Sequence, residues 1–111
     1  MIHAFYELYK TFHKYNNKFP KIEKYNLGHK IECLILEMTE LTFKALYAPK
    51  NEKLKTVKNL SNKNDLLRLL IRLCYDLELI DQKKYLKIQK VLQKTGEMIG
   101  GWLKHLNIER R

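Results

Sequence analysis

The residue types best suited to chemistry are few and scattered in this chain. Four histidines (His3, His13, His29 and His105) and two cysteines (Cys33 and Cys74) share no metal-ligand spacing, and no CxxC accompanies them. The di-iron sites of helical bundles need Glu-x-x-His on facing helices. No glutamate here is followed by a histidine three residues on. Both cysteines lie inside apolar stretches, which predicts small buried side chains rather than reactive or disulfide-forming thiols. GxSxG, GxxxxGK[ST] and GxGxxG are all absent, so neither a nucleophile elbow nor a phosphate-cradling loop is expected. The expectation is a protein without catalytic residues, metal or cofactor.

One carboxylate arrangement needs weighing. Glu37-Met38-Thr39-Glu40 and Glu78-Leu79-Ile80-Asp81 each place two carboxylates three residues apart. On a helix such a pair shares a face and could hold Mg²⁺ against a substrate phosphate. The pattern is superficially similar to the ExxE…ExxD ligands of all-α nucleotide pyrophosphohydrolases. Asp81 is better explained as a helix cap, however, and the two pairs lie farther apart in sequence than that family places them.

The cationic residues are better organised. Lys plus Arg number 22 against 12 Asp plus Glu, a net charge of +10. With a pI near 9.6, this favours a polyanionic partner. Residues 80–111 hold eight basic against three acidic residues, net +5, whereas residues 26–48 net −1. Lys83, Lys87, Lys90 and Lys94 recur at helical steps, a stripe opposite Ile88, Leu92 and Ile99, and Lys84, Lys104, Arg110 and Arg111 add to it. Such a stripe could be only a solvated face. The overall charge favours phosphate contacts, because each neutralised phosphate releases counterions and adds sequence-independent affinity.

Tyr6, Tyr25, Tyr47 or Tyr75 could stack on single-stranded bases, although no RNP, KH or zinc-finger pattern specifies a module. Arg68 and Arg72 lie one turn apart amid leucines, where burying an unpaired charge is costly. Two roles stay open for them. They could form intrahelical ion pairs with Asp65 and Asp76, or line a groove at a subunit interface and face a phosphate.

These residues must be positioned by helices. A chain of 111 residues is expected to form one domain, residues 1–111. Only two Pro and four Gly occur, which disfavours disorder and turn-dense β folds. The first apolar stripe is Ile2, Phe5, Leu8, Tyr9, Phe12 and Tyr15, ended by Phe19-Pro20. The second runs from Leu27 through Ile31, Ile35 and Met38 to Ala45, with Asn26 as its expected N-cap and Pro49 closing the connection. The third begins near Lys50 and reaches Leu77 as one continuous helix, despite the polar middle Ser61-Asn62-Lys63-Asn64-Asp65. The fourth follows Asp81 as N-cap and runs through Ile88, Leu92, Ile99 and Leu106.

The expected fold is all-α, an antiparallel up-down-up-down four-helix bundle. Leu66, Leu67, Leu69, Leu70, Ile71, Leu73 and Cys74 surround most of the third helix, more than so small a bundle can bury. Leu66, Leu69 and Leu73 are therefore expected at a subunit interface of a homo-oligomer. The GxxxG of Gly96 and Gly100 is expected to let another helix approach closely. No apolar run approaches the ~20 residues of a membrane span. The N-terminus lacks the regions of a secretory signal. A cytoplasmic protein is expected.

Three segments carry a resemblance. Phe19-Pro20-Lys21-Ile22-Glu23-Lys24-Tyr25-Asn26-Leu27-Gly28 resembles the "FPK-E-(Y/F)-x-L-G" joint of a bacterial four-helix-bundle family. Leu67-Arg68-Leu69-Leu70-Ile71-Arg72-Leu73 resembles its "LRxxxRL", and Gly96-Glu97-Met98-Ile99-Gly100-Gly101-Trp102-Leu103 its "GRxLGGWI". Glu97 stands where that pattern often has a basic residue. The family includes the accessory variability determinant (Avd) of diversity-generating retroelements and proteins encoded in intervening sequences of bacterial large-subunit rRNA genes. The resemblance implies a ring-like homo-oligomer, a pentamer, that binds template RNA and the reverse transcriptase without doing chemistry itself. Its alternative is a stand-alone oligomeric scaffold of the intervening-sequence type, with no obligatory nucleic acid.

Overall fold

A computed structural model describes the backbone of residues 1–110 and the side chains of residues 1–107, so Arg110 and Arg111 lie outside the described side chains. Four helices account for nearly all of it, and no strand occurs among the described residues. They are α1 (Ile2–Asn16), α2 (residues 21–47), α3 (Lys50–Asp76) and α4 (Gln82–Arg110). Each packs mainly on its sequence neighbours, whereas α1 and α4 touch only sparsely. The bundle measures 49 × 22 × 19 Å, and its seam between the first and last helices is open.

The start of α2 differs from expectation. Asn26 is not a cap. The helix begins behind Pro20 with the turn Lys21–Glu23, widens into a π-helical turn at Lys24–Gly28, and continues as His29–Tyr47. The widened turn brings Gly28 against Asn16, the last residue of α1. Asn16 is 3% exposed, its Oδ1 has no hydrogen-bond partner, and a Cβ on Gly28 would overlap its carboxamide. Phe19 fixes the same corner, lying edge-on to Phe12 at 5.8 Å. His13 Nδ1, 2.6 Å from Glu32 Oε2, ties α1 to α2 farther along.

The polar middle of α3 is helical because its central residue points inward. Asn64 is buried in the bundle, where its Nδ2 donates to the Leu92 carbonyl of α4 (3.1 Å) and its Oδ1 accepts from Thr95 Oγ1 (2.8 Å). A buried amide satisfied on both sides fixes the register of the two helices. Gly96 belongs to this contact. A Cβ there would stand 3.2 Å from Asn64 Nδ2, so its small size serves packing within the protomer, while Gly100 faces open space.

α3 ends with hydrogen bonds from Leu79 N to the Cys74 carbonyl and from Glu78 N to the Tyr75 carbonyl, with Glu78 at φ 61°. This is a Schellman closure in which a glutamate occupies the left-handed position that usually favours glycine. Asp81 then caps α4, accepting from Lys84 N at 2.8 Å.

Leu67, Ile71 and Cys74 face the core. Leu66, Leu69, Leu73 and Leu77 form an exposed ridge on α3, with Leu69 64% exposed. Arg68 and Arg72 are exposed as well, so neither guanidinium is buried within the protomer.

Candidate functional site

Helical register alone sets the row on α4. Lys83, Lys87, Lys90 and Lys94 all lie on its outer face and are exposed, spread over about 16 Å of helix at a rise of ~1.5 Å per residue. No carboxylate pairs with any of the four among the described residues. Lys104 is exposed farther along, while Lys84 is half-buried with its Nζ 5.0 Å above the Tyr15 ring. Glu97, one turn beyond Lys94, places a negative charge at the end of the row.

Beside this row runs a groove of about 410 Å³ along the open α1–α4 seam. Ala4, Leu8, Ile88, Val91 and Thr95 line it, with Met98 at one end, Lys87 and Lys94 along the α4 rim, and His3 and Glu7 along α1. The sequence carries no local signal for it, because it exists only where two chain-distant helices fail to close.

The arginines take different partners. Arg72 pairs with Asp76 (Nε–Oδ1 3.0 Å), as one of the two open roles required. It also lies 5.8 Å from the rings of Tyr75 and Tyr85, which stack at 4.6 Å. A hydrogen bond with Tyr85 and the charge of Asp76 raise its pKa further. Arg68 does not reach Asp65. Its Nε donates to Gln89 Oε1 on α4 (3.4 Å), and Gln89 Nε2 donates back to the Arg68 carbonyl (3.0 Å). Of the four tyrosines suited to stacking, Tyr6, Tyr25 and Tyr47 are exposed, and Tyr75 is half-buried against Tyr85.

A second apolar surface escaped the sequence reading. Leu36, Phe43, Leu46 and Tyr47 stand exposed on α2, off the core stripe. Counting apolar residues off the core stripe of Ile31, Ile35, Met38 and Ala45 would have found it.

The cysteines also separate. Cys74 is buried, and desolvation pushes its pKa up to about 12. Cys33 is only partly buried, its Sγ 3.5 Å from His29 Nε2, because α2 turns this position towards the rim of the core. A thiol reagent under native conditions is expected to modify Cys33 within minutes and Cys74 only as the protein unfolds. Two equivalents reacting at one rate would contradict this.

A lysine-faced helical bundle is thus the class of protein that fold and surface define; no group of three or more His, Cys, Asp or Glu is placed to hold a metal among the described residues. No described helix is long and apolar enough to cross a membrane. A family model described as bAvd-like matches residues 1–106, and the chain belongs to that family. Comparison with curated proteins and with solved structures gives no match.

Proposed function

We propose that this protein is a non-catalytic accessory subunit of a diversity-generating reverse transcriptase, assembled as a ring that holds template RNA while the polymerase partner does the chemistry. Family membership supports the class. The observation that carries RNA binding is the row Lys83, Lys87, Lys90 and Lys94, exposed and without carboxylate partners. Lys84, Lys104, Arg68 and Arg72 are secondary contributors, since Lys84 and Arg72 already engage tyrosines. No cofactor enters, and the expected place of action is the cytoplasm.

RNA titrations at several salt concentrations test this. Affinity should fall steeply with salt, with little dependence on sequence. Weak binding that ignores salt would remove RNA and leave the stand-alone scaffold, which Glu97 at the end of the row favours.

One arrangement that the exposed leucines allow is assembly through the α3 ridge of Leu66, Leu69 and Leu73, with Gly100 on the open face of α4; Gly96 is already committed to Asn64. Five subunits follow from the resemblance, since a leucine ridge does not count copies. In that arrangement Leu69→Glu should reduce the native mass to the 13.4 kDa protomer while leaving the helical signal intact, because Leu69 contributes little to the core. An unchanged mass by light scattering would exclude this ridge from the interface.

A further inference from the structure

We infer that the protomers meet head to tail, the outward ridge of α2 on one copy seated in the α1–α4 groove of the next. This rests on the proposed ring and assigns its faces. A ring closes from two different, complementary patches on each protomer, whereas a two-fold contact uses one patch twice. Among the described residues the groove is a concave apolar patch, and the ridges of α2 and α3 are convex ones.

Shape and charge select the α2 ridge. Leu36, Glu40, Phe43 and Tyr47 follow at i, i+4, i+7 and i+11, the spacing with which a helix fills an apolar groove. Leu36 and Phe43 are 47% and 50% exposed and Tyr47 is 82% exposed. The α4 wall of the groove runs from Lys87 to Met98, the same number of residues as Leu36 to Tyr47, so ridge and groove are each about 16 Å long. Glu40 is exposed at mid-ridge and has no ion-pair partner among the described residues. It would meet Lys87 and Lys94 on the groove rim.

The α3 ridge fits less well, because Arg68 on its flank has no carboxylate partner among the described residues and would bring a cation against those lysines. Lys83 and Lys90 do not line the groove and stay available to a polyanion. The sparse contact of α1 with α4 is then a place left for the neighbouring copy.

A head-to-tail junction has a diagnostic test with two full-length variants. Phe43→Asp spoils the ridge and leaves the groove; Met98→Asp spoils the groove and leaves the ridge. Each variant alone should need at least a hundredfold higher concentration to assemble. Mixed in equal amounts, they should form a species of two chains, twice 13.4 kDa, and nothing larger, because only one good junction remains. Both side chains are about half exposed, so melting temperature and helical signal should stay near wild type. Glu40→Lys and Lys94→Glu provide an independent pair: each should weaken assembly about tenfold, and the two reversals in one chain should restore it. Variants that keep the wild-type mass while Leu69→Glu dissociates it would overturn this junction and leave the ring. Variants that dissociate singly but do not pair on mixing would overturn it too. A monomeric wild-type protein would overturn both.

Discussion

Gly28→Ala is expected to lower the stability of this protein by about 1–3 kcal/mol, against the usual sign for such a change. Replacing glycine inside a helix by alanine normally stabilises by up to ~1 kcal/mol. Here the added methyl would occupy the space of the Asn16 carboxamide. Asn16 is 3% exposed and packed at this corner, so the carboxamide must be displaced, the α1–α2 corner must open or the π turn must shift; overpacking a tight contact costs roughly 1–3 kcal/mol. For a domain of this size each kcal/mol moves the melting temperature by about 4–8 °C, which puts the expected drop at roughly 5–20 °C. Asn16→Ala in the same chain should return most of it, because it removes the obstructing carboxamide, whose Oδ1 has no hydrogen bond to lose. A Gly28→Ala variant as stable as wild type would mean that the corner yields freely.

Changing Lys83, Lys87, Lys90 and Lys94 together to glutamine is expected to weaken RNA binding about a hundred- to a thousandfold at low salt. Each phosphate contact contributes roughly 0.7–0.9 to the slope of log affinity against log salt, so that slope should flatten by about three where all four lysines meet phosphates, and by about half of that where Lys87 and Lys94 are held at a subunit junction. Unrelated RNAs should weaken alike, because lysines on phosphates carry no base readout. Lys83→Gln with Lys90→Gln should give about half the change of slope without touching the groove rim, which separates RNA contact from assembly. A quadruple variant with wild-type affinity and slope would move the RNA elsewhere on the molecule.

Helical periodicity revealed the four helices because each buries a single stripe, and a 3.6-residue repeat writes such a stripe directly into the sequence. Asp81 was legible as a cap for a related reason: its function is local. Two features were not local. Asn26 has the residue type of a cap, but Pro20 starts the helix earlier and a π turn carries the chain through that position. Asn64 lies in a polar stretch read as continuous helix, but its inward role is not legible until its partners on α4, the Leu92 carbonyl and Thr95, are known. The lysine row was visible as register on one helix. The groove beside it was not, since its walls come from opposite ends of the chain, and the α2 ridge is a weaker apolar stripe than the core stripe on the same helix. Cys33 looked like Cys74 by its neighbours in sequence, yet only Cys74 is sealed on every side.

The open seam also bears on how the protein comes apart. α1 is the shortest of the four helices and is held chiefly by α2, through its packing and the His13–Glu32 pair. A segment supported on one side is the natural first unit of partial opening, well below the free energy of global unfolding. Its release would uncover Phe5, Leu8 and Phe12 without disturbing the Asn64–Thr95 contact that joins α3 to α4. A neighbouring copy seated in the seam would bind only the state with α1 in place, and so stabilise the closed form by mass action. Resistance to proteolysis at the N-terminal helix would then rise with protein concentration, making the integrity of the fold a property of the assembly as well as of the chain.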